Sequence, residues 1–267
     1  MRSSRLFWGV ILVVLGGLLL LRSLGIITWN VWLFFLPAIL ILAGVWMLLG
    51  PAVNKGKQEV VNLDIPLESI QEAVIDVNHG AGTLDISGGA GPAQLMTGVF
   101  AGGVESRMEK IGHGGSLTLN PPTNVVWGFP GGVGGEGFRW NFRLTDAIPL
   151  DVRLHTGAGE ARVDLVALRV RKLTLETGAS STIITLPANA GFTAVDVHAG
   201  AASVVLRVPQ DVAGRITMKS GLVGTKIDNV RFPFNGTTYE TAGYDSAANR
   251  VEILVEAGVG SIEIISA

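Results

Sequence analysis

Hydrophobic positions follow two regimes along this chain. Over the first fifty residues they run almost unbroken. Leu6 to Leu21 gives sixteen residues without a charge or a side-chain amide or hydroxyl, and Val31 to Leu49 gives nineteen more, with Pro37 near their start. A hydrocarbon core of ~30 Å takes ~20 apolar residues at 1.5 Å rise each. The second stretch is long enough, and the first becomes so if Arg22 snorkels and the helix runs on towards Ile27. Residues 1–50 therefore read as a transmembrane α-helical hairpin in contact with the lipid bilayer. Trp8, Trp29, Trp32 and Trp46 lie near the predicted span ends, as aromatic belts do. A signal peptide is the alternative, but no small-x-small site follows Leu21 and a second span comes at once.

Beyond residue 58 the pattern changes to alternation, and it repeats. Aligned on Gly80, Gly157, Gly178, Gly200, Gly221 and Gly258, the residue five before each glycine is Ile75, Val152, Leu173, Val195, Ile216 or Ile253. Three before stands Val77, Leu154, Leu175, Val197, Met218 or Val255, and six after stands Ile86, Val163, Ile184, Leu206, Ile227 or Ile264. Two before is always polar: Asn78, His155, Glu176, His198, Lys219 or Glu256. Apolar residues two apart with a polar one between mark a short strand with one face inward. The glycine supplies a corner where a β-carbon would be penalised. From Gly157 to Gly221 the glycines are 21, 22 and 21 residues apart. Such a period, built of strand and turn alone, predicts an all-β C-terminal domain in the form of a β-solenoid with about 21–22-residue repeats, its rungs ~4.8 Å apart and like side chains stacked in columns. A sandwich of regular hairpins also gives the strand spacing, but not the small residues after each glycine. The domain plan is an anchor at 1–50, a linker at 51–63 and the solenoid at 64–267.

Two insertions interrupt the ladder. Between Gly80 and Gly157 lies a degenerate stretch from Ala93 to Leu119, then a glycine-rich segment at about 120–147. There Val125, Trp127 and Phe129 alternate, five glycines follow by Gly137, and Phe138, Trp140, Phe142 and Leu144 alternate again. This predicts a hairpin with one aromatic face. Trp127, Phe129, Phe138, Trp140 and Phe142 are accordingly the candidate partner contacts, because contiguous apolar surface usually marks interaction. The alternative is that they cover one flank or end of the solenoid. The second insertion, around Phe234-Asn235-Gly236-Thr237, reads as a tight turn. The last rung, Ser261 to Ser266, is expected to be an open edge that a partner or a second copy can extend.

Charge adds orientation. Residues 1–57 carry Arg2, Arg5, Arg22, Lys55 and Lys57 and no acid; the remainder holds 15 basic and 22 acidic residues of the 20 and 22 in the chain, or −7. An acidic domain is a poor partner for nucleic acid. Four bases outside the spans against Arg22 between them place both termini, and the β-domain, on the cytoplasmic side of the plasma membrane. The absence of cysteine excludes disulfides, thiolate metal sites and cysteine nucleophiles.

No constellation of reactive groups stands out. In the column His155, Glu176, His198, Lys219, the two histidines fall two rungs apart, roughly 10 Å, too far to share one zinc. A solvated ladder of alternating charge is the simpler reading. Gly-Ala-Gly at 80–82 and 157–159 lacks the Lys-Ser/Thr and the helix of a phosphate loop. Asp76, Asp164 and Asp196 form no acid cluster, since the rungs equivalent to Asp76 and Asp196 offer Thr174 or Arg153. The expectation is no enzyme, no cofactor, no metal and no catalytic residue.

The anchor's wording, Phe7-Trp8-Gly9, Gly16-Gly17, Leu24-Gly25-Ile26, Trp32, Pro37 and Ile39 to Gly44, resembles the transmembrane region shared by LiaI- and LiaF-type bacterial envelope-stress proteins. The repeat with its glycine corners resembles bacterial toast-rack domains and related adhesin-like repeats. LiaF-type proteins join a similar anchor to a similar cytoplasmic β-domain and restrain a sensor kinase until the envelope is stressed. The resemblance thus implies a membrane-anchored regulatory protein with a membrane sensor kinase as partner. A self-assembling membrane-attached scaffold, with a homo-oligomer as the working form, and an exported adhesin-like protein are the alternatives.

Overall fold

The computed structural model describes residues 59–123 and 138–267, with backbone only at 220–222. The anchor, most of the linker, Trp127 and Phe129 lie outside the described residues. Residues 56–267 form a compact unit of their own.

The strands among the described residues are β1 (Val60–Pro66), β2 (Glu72–Gly88), β3 (Gln94–Ala101), β4 (Glu105–Ile111), β5 (Gly114–Asn120), β6 (Phe138–Leu144), β7 (Pro149–Asp164), β8 (Arg169–Thr185), β9 (Phe192–Val208), β10 (Ala213–Ile227), β11 (Tyr239–Glu240) and β12 (Arg250–Ser266). Apart from a 3-10 turn at Tyr244–Ser246 these residues hold no helix. Strand β1 takes in residues 60–63, which the sequence reading gave to the linker.

Each long strand is a whole rung. Sixteen residues of straight strand would span about 53 Å. Yet in β7 Pro149 pairs with Arg169 and Asp164 pairs with Thr185 of the next rung. Only the five chain steps from Asp164 to Arg169 join them, a reach of about 17 Å. The strand must therefore fold back on itself, and it does so at the glycine. Leu150, Val152, Leu154 and Thr156 point inward before the corner, residues 157–160 are exposed, and Ala161 and Val163 point inward after it. The corner flips the alternation by one residue, so both halves face the same core. We call the halves before and after the corner the first and second wall.

The inward columns run the length of the rack. Leu117, Ile75, Val152, Leu173, Val195, Ile253 and Ile216 are register neighbours in that order. All are at most 1% exposed. At 25–30 cal/mol per Å² of apolar surface, each buried side chain of this size contributes about 1.5–3 kcal/mol before entropy is counted.

Chain order and spatial order agree only in the middle. Strands β7, β8 and β9 stack consecutively and in parallel. At one end β2 has β7 on one flank; its other flank is taken by β5 along the first wall and by β6 along the second. Strands β5 and β6 are thus one rung whose corner is replaced by residues 121–137. The expected hairpin partner of Phe138–Leu144 is replaced by β2 and by antiparallel β3. The stretch read as degenerate, Ala93 to Leu119, supplies β3, β4 and β5. At the other end β12 lies between β9 and β10, in parallel with both. The expected open edge at Ser261–Ser266 is therefore an interior strand.

Candidate functional site

Outside the corners, the polar residue two before each glycine forms a surface ladder. Its order follows the strands: Asn78, His155, Glu176, His198, Glu256, Lys219. Because β12 intervenes, His198 neighbours Glu256 and not Lys219, as sequential stacking would have it. From His155 on, the ladder alternates basic and acidic residue types. His155 Nδ1 lies 3.1 Å from Glu176 Oε2, and its Nε2 lies 3.9 Å from Asp76. His198 Nδ1 lies 3.5 Å from Glu256, to which Lys219 Nζ donates at 3.3 Å. Asn78 Nδ2 donates to Asp76 and to Asn120 Oδ1. Exposed contacts of this kind are worth about 0.2–1 kcal/mol each.

Beside the ladder runs an open groove of about 480 Å³, with Gly80, Gly157 and Gly178 in its floor and Pro121 at one end. The floor is bare because the rungs touch there. A β-carbon on Gly157 would stand 2.2 Å from the Gly80 carbonyl oxygen, and one on Gly178 would stand 2.8 Å from that of Gly157. Gly200 and Gly258 continue the stack, at 3.2 and 3.1 Å from the carbonyl oxygens of Gly178 and Gly200. Gly221 lies in β10, where Ser220 pairs with Ala257 and Leu222 with Val259. The left-handed backbone falls two residues later, at Gly82, Gly159 and Gly260, with φ of 123°, 129° and 128°. The corner glycines thus serve close approach, and in three of the six copies a positive-φ glycine stands two positions on.

The candidate contact aromatics are placed otherwise than expected. Phe138, Trp140 and Phe142 are at most 1% exposed. Trp140 packs edge-on against Phe100 with centroids 5.4 Å apart, and Phe142 stacks on Phe100 at 5.7 Å. Trp140 Nε1 donates to the Gly103 carbonyl at 3.1 Å. These side chains fill the core end as a rung, since pairing with β2 turns their shared face inward. Arg139 and Arg143 take the exposed positions between them. The other two of the five, Trp127 and Phe129, are among the residues not described.

Sequence reasoning passed over His79. It stands one before the corner, at an inward position, and is 3% exposed. Its ring packs edge-on against Trp140 at 5.1 Å and Phe138 at 6.3 Å. Burial pulls its pKa down from 6.5 to about 4, and a hydrogen bond with the Phe138 backbone opposes this in part. Among the described residues its Nε2 has no hydrogen-bond partner. The same position is Thr156 and Thr177 in the next rungs. Thr156 donates to Thr177 at 2.9 Å, Thr177 contacts Ser180, and Ser180 lies 3.0 Å from Thr182. The signal was available: the residue before each corner glycine is small or polar in every copy.

The acids do not converge. Asp76 lies level with Arg153 on the neighbouring strand, Asp196 pairs with Lys172 at 3.2 Å, and Asp164 accepts from the Val166 N–H at 3.1 Å. Among the described residues no group of three His, Cys, Asp or Glu is placed to hold a metal ion. The groove therefore offers a surface on which the exposed basic and acidic groups of the ladder are already matched in pairs.

Two family models match the chain. Residues 6–48 match the LiaI-LiaF-like transmembrane region, which makes this a membrane-anchored protein. Residues 53–207 match the N-terminal domain of toast_rack, DUF2154. A search of curated proteins finds no match. Among solved structures, a candidate cell adhesion protein from Clostridium sporogenes aligns with a TM-score of 0.71 at 22% identity, over 79% of this chain and all of that one. It shares the fold. A candidate adhesin from Bacteroides fragilis aligns over 78% of this chain and 98% of its own at 8% identity, but its TM-score of 0.28 is too low to bear on the fold. With more than half of its residues matched and the repeated, corner-folded rungs in place, the chain belongs to the toast-rack family.

Proposed function

We propose that this protein is a two-span, non-enzymatic regulator in the plasma membrane, holding its β-rack in the cytoplasm against a membrane sensor kinase of envelope stress. The observation that carries the reading is the joining of a LiaI-LiaF-like membrane segment to a rack whose outer polar groups are paired with one another. Such a surface is built to be recognised rather than to react. The corner groove and the segment holding Trp127 and Phe129 are the proposed docking face. Phe138 to Leu144 belong to the core, so the informative deletion is residues 124–137 alone. Loss of kinase recovery from membranes with an intact fold supports the docking face, and unchanged recovery rejects it.

A second reading, an outward-facing adhesin-like protein, draws on the structural likeness to the candidate adhesion protein of C. sporogenes. A compartment-sensitive reporter fused after Ala267 separates the two. A cytoplasmic signal is expected, and an exterior signal would remove the kinase reading in favour of adhesion.

A further inference from the structure

The two walls of the rack end differently. On the first wall the β10 end is closed by residues 228–249. Strand β11 pairs with Arg215 and Ile216, Phe232 is fully buried beside Gly214, and the Thr241 N–H donates to the Gly214 carbonyl at 2.9 Å. At the opposite end of that wall β4 presents a charged edge with Glu105, Arg107, Glu109 and Lys110. On the second wall no strand of the described residues closes either end. Among the described residues no strand pairs with the outer side of Val223–Ile227. Thr225 and Ile227 continue the columns of Ile262 and Ile264, which are 1% and 0% exposed. Yet Thr225 is exposed and Ile227 half-buried. At the other end β1 is outermost, with Val61, Leu63 and Ile65 half-buried against the core and Val60 56% exposed.

These two open edges fit each other. Strand β1 is antiparallel to β3, and β3 is antiparallel to β6, so β1 points the same way as every second-wall half, that of β10 included. The side-chain columns set a register. Val61 and Thr225 are the two ends of one column, through Phe100, Trp140, Leu84, Ala161, Thr182, Val204 and Ile262. A second copy stacked without sliding sets Val61 beside Thr225, Asn62 beside Lys226 and Leu63 beside Ile227. Asp64 then lies diagonal to Lys226, within reach of its side chain. Lys226 is ion-paired with Glu263 on its inner side, so Asp64 continues the alternation of charge. Unpaired backbone groups at a sheet edge are a template for strand addition.

We propose that the protein assembles head to tail, β1 of one copy adding as a parallel strand to the Val223–Ile227 edge of the next. The contact is heterologous and does not close on itself, so it builds rows of copies rather than a dimer.

The cysteine-free chain allows a direct test. Val60 and Gly224 are the two ends of one outward column, and a β-carbon on Gly224 meets nothing closer than 3.7 Å. Strands ~4.8 Å apart suit a disulfide, whereas the same two positions within one copy are eight strand steps, ~38 Å, apart. Full-length chain carrying both Val60→Cys and Gly224→Cys, oxidised in its membrane, is expected to give a ladder of dimers, trimers and longer products, while each single variant stays monomeric. A monomeric double variant would overturn the proposal, as would dimers from Gly224→Cys alone, which would mean that the edge meets its own copy. Should Gly224→Cys fail to fold, Asn62→Cys with Lys226→Cys tests the same register, with the same ladder expected and monomers again overturning it.

Discussion

The middle of the rack and its two ends are made of the same rung, yet they are assembled by different rules. Between β7, β8 and β9 the chain moves to the adjacent place each time, with only a short turn after each full rung of 21 or 22 residues. At the ends the steps are longer: 77 residues from Gly80 to Gly157, and 37 between the register partners Lys219 and Glu256. There places are filled out of order. Strands β2 and β7 are still neighbours across the 77-residue step, with β5 and β6 added outside β2. The 21-residue step from β9 to β10, by contrast, passes over a place that β12 later fills. The rungs are interchangeable in their inward pattern, and connection length alone does not decide which become neighbours.

Three experiments test that contrast. The largest effect is expected from removing Arg250–Ala267. If β12 were a terminal rung, the rest would stand without it. As an interior strand it contributes six buried side chains: Val251, Ile253, Val255, Ala257, Ile262 and Ile264. Burial at about 1.5–3 kcal/mol for each large one is comparable to a whole domain's stability of about 5–15 kcal/mol. Loss of the cooperative unfolding transition is expected in denaturant, and a truncated chain with an unchanged midpoint would show β12 to be peripheral.

The second compares a mid-rack glycine with one at the open end. A β-carbon on Gly159 would meet the Gly82 carbonyl oxygen at 2.0 Å, on a backbone with φ of 129°. Main chain cannot swing away as a side chain can, so Gly159→Ala should cost about 3 kcal/mol or more. Gly224→Ala at the exposed β10 edge should stay within about 0.5 kcal/mol. Equal shifts in the two denaturation midpoints would remove the distinction.

The third concerns the β2 end and His79. The folded chain keeps this imidazole neutral down to about pH 4, whereas an unfolded chain protonates it near 6.5. Between those values the unfolded state binds more protons. The stability that His79 contributes is therefore whole above about pH 6.5, falls as the pH drops, and stops falling below about 4. The span corresponds to about 3 kcal/mol. His79→Thr, the residue type of the next rungs, should flatten the stability profile over this window, measured as the denaturation midpoint against pH. A slope that persists in the variant would assign it to other groups.

Much of this was legible in the residues. Aliphatics five and three before each glycine and six after it name the inward columns, and every such residue of the middle rungs lies in the core. The alternation of Phe138, Trp140, Phe142 and Leu144 was legible too, but not its destination. An aromatic face on a hairpin and an aromatic face turned into a rung have the same period of two. Only pairing with β2 and β3 tells them apart. The surface ladder was read correctly as far as His198, where insertion of β12 changed the neighbour from Lys219 to Glu256. His79 was missed although a period of two carries the inward face from Ile75 and Val77 on to it.

The sequence by itself determined the apolar N-terminal segment, the rung, its length, its corner and its inward face, because these depend on neighbours within about twenty residues. The tertiary structure alone decided the order of the rungs at both ends, the burial of Phe138, Trp140 and Phe142, and which edges stay open. The physical reason is that every rung offers its neighbours the same ladder of backbone groups and the same aliphatic columns. Local chemistry is then nearly indifferent to which rung lies alongside, and the choice falls to the packing of the rack as a whole and to the strands that close each end.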